Sequence, residues 1–189
     1  KTGWPWTCDM LSEPDDMLDE FPWPTISVVS PSYNQAPYLE QTIRSVLLQN
    51  YPGLEYIIID GGSTDGSVEI LQRYADHLTY WVSEKDQGQA DAINKGWQRA
   101  TGEILSWINS DDTYCPGALK SALAYFVDNP IIDMIYGDCY CIDEESTMLG
   151  ELRSWQFDLR RQLTGRNLIH QSSTFYYRSV IEQLDGLDP

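Results

Sequence analysis

The segment Glu103-Ile-Leu-Ser-Trp-Ile-Asn-Ser-Asp-Asp-Thr-Tyr-Cys-Pro116 changes character at its midpoint. Ile104 to Ile108 is apolar and β-branched, Asn109 to Asp112 is polar and acidic, and a helical pattern opens after Pro116. This reads as a buried strand that delivers carboxylates at its C-terminal end, where the chain turns away. Ligands of open α/β sheets sit outside the carboxyl ends of the strands. Residues two apart on a strand share a face, so Asn109 and Asp111 point together, and Asp112 points away unless the backbone has already left strand geometry. Carboxylates at a strand end suit a hard divalent cation that takes its other oxygens from substrate phosphates. An Asp-rich turn capping the next helix is the plainer alternative.

The flanking chain repeats this alternation. Ile26 to Ser30, Leu54 to Asp60, Leu78 to Val82 and Ile131 to Tyr136 read as further strands. Between them lie helical patterns: Leu39, Ile43, Val46 and Leu47 behind Pro37; Val68, Leu71 and Tyr74; Ala90, Ile93, Trp97 and Ala100, with Gly102 just past the end; and Leu119, Ala122, Leu123 and Phe126, halting at Asn129-Pro130. Strands alternating with helices imply βαβ units and a mostly parallel sheet. Beyond Asp138 the pattern predicts a hairpin from Cys139–Asp143 and Met148–Arg153, a short helix over 157–163, a strand over 172–177 and a last helical turn over 180–184. Residues 1–24, rich in Pro, Trp and acidic side chains, are an irregular lead-in whose tryptophans are expected to pin it to the domain surface.

A chain of 189 residues suffices for one domain with a sizeable core. Its 12 Lys and Arg stand against 29 Asp and Glu, a formal charge of -17 that argues against phosphate backbones and anionic lipid as docking partners. A nucleotide stays compatible, since a metal ion can supply positive charge locally. Cys8, Cys115, Cys139 and Cys141 have neither zinc nor disulfide-framework spacing, and Cys139 and Cys141 read as ordinary buried or half-buried residues. No signal-peptide pattern or transmembrane-length apolar run is present, so a reduced, cytoplasmic protein is the expectation.

Three strand ends carry unusual polar groups: Pro31-Ser-Tyr-Asn34, Asp60-Gly-Gly-Ser63 and Asn109-Ser-Asp-Asp112. Parallel strands would open all three onto one rim. Asp60, emerging from an apolar run, suits a base N–H or a ribose hydroxyl, or else a turn before a helix capped through Asp65; Tyr33 suits base stacking, or else the core. Gly61-Gly-Ser-Thr-Asp-Gly66 is neither a dinucleotide fingerprint, because Ser63 stands where glycine is required, nor a P-loop, because Ser67 stands where lysine is required. Phosphate handling therefore points to a metal rather than a glycine cradle.

Ser30-Pro-Ser-Tyr-Asn34, Asp60-Gly-Gly-Ser-Thr-Asp-Gly-Ser67, Asp86-Gln-Gly-Gln-Ala-Asp-Ala-Ile-Asn-Lys-Gly96 and Asn109-Ser-Asp-Asp112, in this order and spacing, resemble glycosyltransferase family 2. The resemblance covers roughly residues 25–188 and implies the GT-A fold, an α/β Rossmann-like nucleotide-sugar-binding half (25–138) joined to an acceptor-side half (139–189). It implies inverting transfer from a nucleotide-diphosphate sugar, UDP-linked in expectation, with Mn²⁺ or Mg²⁺. Pro31 and Tyr33 would then line the base pocket and Asp60 would bind the uracil-like edge, while Gly88, Ala92 and Asn94 would border the diphosphate-sugar. Asn109, Ser110 and Asp111 occupy the family's D-x-D position, with Asp111 and its neighbour Asp112 as metal ligands. Asn109 stands where many members have aspartate, which leaves it a ribose hydrogen-bond partner.

In such enzymes a carboxylate base takes the acceptor proton. The resemblance places that base in an acidic motif downstream of Leu184-Asp-Gly-Leu-Asp188, so it is expected beyond Pro189. Inside the chain Asp138 and His170 are the weaker candidates. Arg160, Arg161 and Arg166 read as a solvated face or a contact for a charged acceptor. The leading expectation is synthesis of a surface polysaccharide or similar glycan, on a glycan or lipid-linked glycan acceptor and without nucleic acid, at the inner face of the membrane in the full protein. A nucleotide-sugar-binding module without turnover is the second reading. A nucleotidyltransferase is the third, and no glycine- and basic-rich phosphate loop follows Val28-Val29-Ser30 to favour it.

Overall fold

A computed structural model describes residues 3–7, 23–165 and 169–188. The acidic run from Glu13 to Glu20, together with Cys8, Arg166 and Pro189, lies outside them. The apolar runs form the strands β1 (Ile26–Ser32), β2 (Leu54–Asp60), β3 (Tyr80–Ser83) and β4 (Ile104–Trp107). The helices α1 (Ala36–Leu47), α2 (Ser67–Tyr74) and α3 (Gln89–Arg99) connect them, and α4 (Ala118–Asp128) follows β4. β5 (Met134–Tyr136), the hairpin β6 (Cys139–Ile142) and β7 (Met148–Leu152), α5 (Leu159–Leu163), β8 (Thr174–Tyr177) and α6 (Arg178–Leu184) complete the fold.

The main sheet runs β3-β2-β1-β4-β8-β5, with β6 and β7 as a separate pair. β1 pairs in parallel with β2 and β4, and β2 with β3, while β8 enters antiparallel between β4 and β5. This is the expected mostly parallel α/β sheet with a smaller C-terminal part. Side-chain alternation divides the core. Ile26, Val28 and Ile58 face α1, α2 and α4, whereas Val29, Ile57, Ile59 and Leu105 face Ile93 and Trp97 of α3. Gly96 sets the depth of that second layer, since a Cβ there would collide with the Val29 side chain.

The rim opposite the strands' C-terminal ends is tied by Glu55. Its carboxylate accepts from Ser27 Oγ (2.5 Å), Thr101 N (2.7 Å) and Gly102 N (3.2 Å), and from the Thr101 hydroxyl. Burial pushes the Glu55 carboxyl up, but these four bonds outweigh it and hold the group below its ordinary value.

Sequence and structure part at a few edges. β5 begins at Met134 rather than Ile131, because the residues after Pro130 form a turn and Ile131 is 93% exposed. β3 begins at Tyr80 because a short 3₁₀ turn takes Ala75–His77. β1 carries on to Ser32, past the predicted end at Ser30, by pairing with Asp60 of β2. Cys139 is half-buried as expected, but Cys141 is exposed, because both faces of β7 and the outer part of β6 lie open. The lead-in is held by its aromatics: Trp4 Nε1 donates to the Tyr114 carbonyl (2.8 Å), Arg44 lies over the Trp6 ring, and Trp23 packs edge-on against Tyr51. Among the described residues no helix is long and apolar enough to cross a membrane.

Candidate functional site

The loops after β1 and β2 are bonded reciprocally. Asn34 N donates to Ser63 Oγ (2.8 Å), and Thr64 N donates to Asn34 Oδ1 (2.9 Å). Asp65 accepts from Ala36 N at the start of α1 and from Ser67 N and Oγ at the start of α2. Its slight burial acts upward, yet these bonds hold its carboxyl below the ordinary value. Asp60 lies behind this joint, fully buried. Its carboxylate accepts from Gly62 N (3.2 Å), Ser63 N (2.8 Å), Ser63 Oγ and Ser83 Oγ (2.7 Å). The Asp60–Ser67 segment thus fixes the shape of the Pro31–Asn34 loop.

That loop forms one wall of a cleft of about 340 Å³ at the C-terminal ends of the strands. The cleft lies where the chain leaves β1 toward one edge of the sheet and β4 toward the other, the topological switch point at which open α/β sheets bind ligands. Pro31, Ser32 and Tyr33 line it from β1; Asp86, Gly88, Gln89 and Ala92 from the approach to α3; and Asn109, Ser110 and Asp111 from β4. Gly88, at φ 116°, makes the turn into α3, and its N–H is bonded to Asp86 Oδ1 (3.0 Å). Tyr33 stands 61% exposed at the wall, free to stack on a planar group, and Ser32 Oγ is buried beside it without a hydrogen-bond partner. Among the described residues no lysine or arginine lines the cleft, while two carboxylates do.

Asn109 is the hub of the far wall. Its Oδ1 accepts from Gln89 Nε2 (2.5 Å), and its Nδ2 donates to Asp112 Oδ2 (3.3 Å) and Gln171 Oε1 (3.5 Å). The strand has ended at Trp107, and the Asp112 N–H closes a turn onto the Asn109 carbonyl (3.1 Å). The two carboxylates therefore part company. Asp111 is exposed and faces the cleft, whereas Asp112 is drawn inward and lines a second cavity of about 1180 Å³ between α4, β5 and the β6–β7 hairpin. Burial, and secondly the Asp111 charge, push the Asp112 carboxyl above its ordinary value, with the Asn109 bond acting the other way.

The remaining predicted residues fall elsewhere. Asn94 lines neither cavity; it brackets Leu187, donating to its carbonyl (2.8 Å) and accepting from its N–H (2.9 Å). Asp138 lines the second cavity and accepts from Ser154 N (2.7 Å). His170 lines neither, and its Nε2 is buried without a hydrogen-bond partner. Arg160 and Arg161 sit on exposed α5. Gln89, within the Asp86–Gly96 motif but without a role of its own there, lines the cleft, and Gln171, beside the candidate His170, reaches the Asn109 amide because β8 is inserted beside β4.

A metal can be judged from the donor chemistry. Among the described residues no group of three or more His, Cys, Asp or Glu converges on one point. Asp111, with Asp86 and the Asn109 amide, nevertheless fits an ion of the Mg²⁺ or Mn²⁺ kind, which takes one or two carboxylates and completes its shell with phosphates and water.

The family model for "Glycosyl transferase family 2" matches residues 27–184. An uncharacterized glycosyltransferase of Mycobacterium tuberculosis is 30% identical over 167 residues, covering 87% of this chain and 63% of that protein. The chain thus spans less than two thirds of that relative. Among solved structures, the mannosyltransferase PcManGT from Pyrobaculum calidifontis in complex with GDP-Man and Mn²⁺ superimposes with a TM-score of 0.66 at 22% identity, over 100% of this chain and 51% of that one. S. aureus TarS 1–349 in complex with UDP gives a TM-score of 0.63 at 19% identity, over 85% of this chain and 49% of that one. These similarities agree with the sheet order, the switch-point cleft and the acidic end of β4: the chain belongs to glycosyl transferase family 2.

Proposed function

We propose that this chain carries the donor site of an inverting glycosyltransferase that moves a sugar from a UDP-linked donor to a hydroxyl of a glycan or lipid-linked glycan. The observation that carries the reading is the cleft itself. It gathers Pro31, Tyr33, Gly88, Ala92, Asn109, Ser110 and Asp111 around a space open to a planar base at one wall and to oxygen donors at the other. Tyr33 stacks on the base. Asn109 and Ser110 hold ribose or phosphate oxygens, and the unpartnered Ser32 hydroxyl provides a further bond. Asp60 acts on the base edge through the Ser63 loop, or directly if the ligand displaces the Ser63 hydroxyl.

A diphosphate entering a cleft that the described residues line with two carboxylates and no basic side chain needs a counter-cation. Asp111, with Asp86 and the Asn109 amide, would hold Mn²⁺ or Mg²⁺, which when bound supplies positive charge against the leaving diphosphate. The acceptor oxygen bonds to the anomeric carbon from the face opposite the diphosphate. The bond from that carbon to the diphosphate oxygen breaks, its electron pair leaves with UDP, and the acceptor proton passes to a carboxylate base. Of the candidates within the chain, Asp138 lines a cavity and His170 does not.

Calorimetric titration with UDP and GDP, with and without Mn²⁺, on wild type and Asp111→Ala tests the reading. UDP should bind with a Kd in about the micromolar range, and only with both Mn²⁺ and Asp111. Absence of nucleotide binding under every condition sinks it. Tighter binding of GDP than UDP transfers the proposal to a guanine donor.

A further inference from the structure

The hairpin is anchored at both ends and free along one side. Gln41 Nε2 donates to Ser146 Oγ at its tip (2.6 Å), and Ser154 Oγ donates to the Gly137 carbonyl at its base (2.5 Å). Cys139, Tyr140 and Ile142 of β6 help to line the larger cavity, whereas β7 lines neither that cavity nor the cleft. Every residue of β7 is exposed, and among the described residues β6 is its only neighbour in a sheet. Met148, Leu149 and Leu152 stand 62%, 69% and 42% exposed on it, so neither cavity accounts for this apolar strand. A ribbon of two strands is marginal in water and is secured when further strands join it.

The direction of the free side follows from one hydrogen bond. Successive N–H groups of a strand point to alternate sides. Ser154 N donates to Asp138 Oδ1 (2.7 Å), on the β6 side, so the N–H groups of Arg153 and Glu151 point away from β6. Ile142 pairs with Met148 and Cys141 with Gly150, a bulge at Leu149 that confines regular outward geometry to 150–154.

The side chains of this stretch complement themselves. Glu151 and Arg153 share one face, 3.4 Å apart and exposed, with Leu152 between them on the other face. A second copy running antiparallel, with Leu152 opposite Leu152, sets each Glu151 opposite the Arg153 of the other copy. That register makes the two Glu151–Arg153 pairs the hydrogen-bonded ones and brings the leucines together in the closer, non-hydrogen-bonded pair. Centring the pairing on Glu151 or on Arg153 instead opposes like charges.

We infer that the β7 edges of two copies pair antiparallel about Leu152, joining the two ribbons into one four-stranded sheet and making this side of the hairpin a homodimer interface. The pairing needs neither the donor cleft nor its ligand. Both copies carry the formal charge of -17, so the contact forms at an ionic strength that screens this repulsion.

Sedimentation equilibrium of the 189-residue chain at physiological ionic strength, at up to about 1 mM, tests the pairing; a thiol-reducing buffer keeps the exposed Cys141 from joining copies covalently. Wild type should reach the mass of two chains at the upper concentrations. Glu151→Arg and Arg153→Glu each oppose like charges at both pairs, and each should raise the dimer Kd about tenfold or more. Both positions are exposed, so the fold is kept. An equimolar mixture of the two variants restores opposite charges at both pairs and should dimerise as wild type does. A wild type that stays monomeric overturns the inference and leaves the β7 edge to a partner other than this chain. Dimers indifferent to both substitutions overturn it too, because they form through another face. Variants that lose the dimer singly and do not recover it in the mixture overturn the antiparallel register.

Discussion

Gln89 at the first turn of α3 donates through Nε2 to Oδ1 of Asn109 across the cleft, at 2.5 Å. That orientation leaves Nδ2 of Asn109 as a donor to Asp112 and Gln171, so one amide joins α3, the end of β4 and the segment entering β8. A carboxylate at this position keeps the first bond and loses the other two. Asn109→Asp also sets a third acidic group beside Asp111 and the half-buried Asp112. It should lower stability in metal-free buffer by about 1–2 kcal/mol, measured by urea unfolding, and Mn²⁺ should restore part of that loss. Unchanged stability in both buffers would show that the Nδ2 bonds contribute little.

Asp60 is fully buried and accepts four hydrogen bonds from the Gly62–Ser63 turn and Ser83. An asparagine turns an NH₂ toward donors. Asp60→Asn should destabilise by about 2–4 kcal/mol, and UDP affinity should fall because the Pro31–Asn34 loop loses its support. A loss below about 1 kcal/mol would show that the turn holds itself.

Asn94 separates a donor-pocket role from a clamp. The resemblance places it at the diphosphate-sugar, but its amide is engaged on both sides with Leu187. If it acts only as a clamp, Asn94→Ala lowers stability by about 1–2 kcal/mol and leaves the Kd for UDP and Mn²⁺ unchanged. A tenfold rise in that Kd in calorimetry, at unchanged stability, would return Asn94 to the donor site.

Glu55 gives a pH signature. Its folded-state carboxyl is held below its ordinary value, so the unfolded chain binds the proton more readily. The stabilisation is fully present above the unfolded value, around pH 4.5, and is lost as pH falls through the lower folded value. Urea unfolding of wild type and Glu55→Gln should show wild type the more stable at neutral pH, with the gap shrinking on acidification below the ordinary carboxylate range. A gap independent of pH would mean that the hydrogen-bond geometry matters and the charge does not.

The parallel half of the fold was legible because its signals are local. Apolar runs such as Leu54–Ile59 and helix faces such as Ile93 and Trp97 need only short windows to be recognised. The cleft was legible for the same reason, since Pro31, Gly88 and Asn109 all lie at strand-to-helix turns. What escaped was long-range. No local pattern says that β8 inserts antiparallel between β4 and β5, so the approach of Gln171 to Asn109 could not be read. The inward turn of Asp112 also depends on where β4 stops pairing: the strand ends at Trp107, and a tight turn sends consecutive carboxylates to different cavities.

The position of β8 also bears on the order in which the molecule is made. β4 pairs with β8 from Ile104↔Tyr177 to Ser106↔Phe175, so its neighbour on that side is translated about seventy residues later. Until then a nascent chain with β1 to β4 already in place presents β4 as an open edge, with unpaired N–H and C=O groups that invite association with other chains. Arrival of β8 closes that edge and, in the same step, carries Gln171 to Asn109. The far wall of the cleft is therefore the last part of the sheet to mature, and protection of the nascent chain against aggregation and completion of the site come from the same strand.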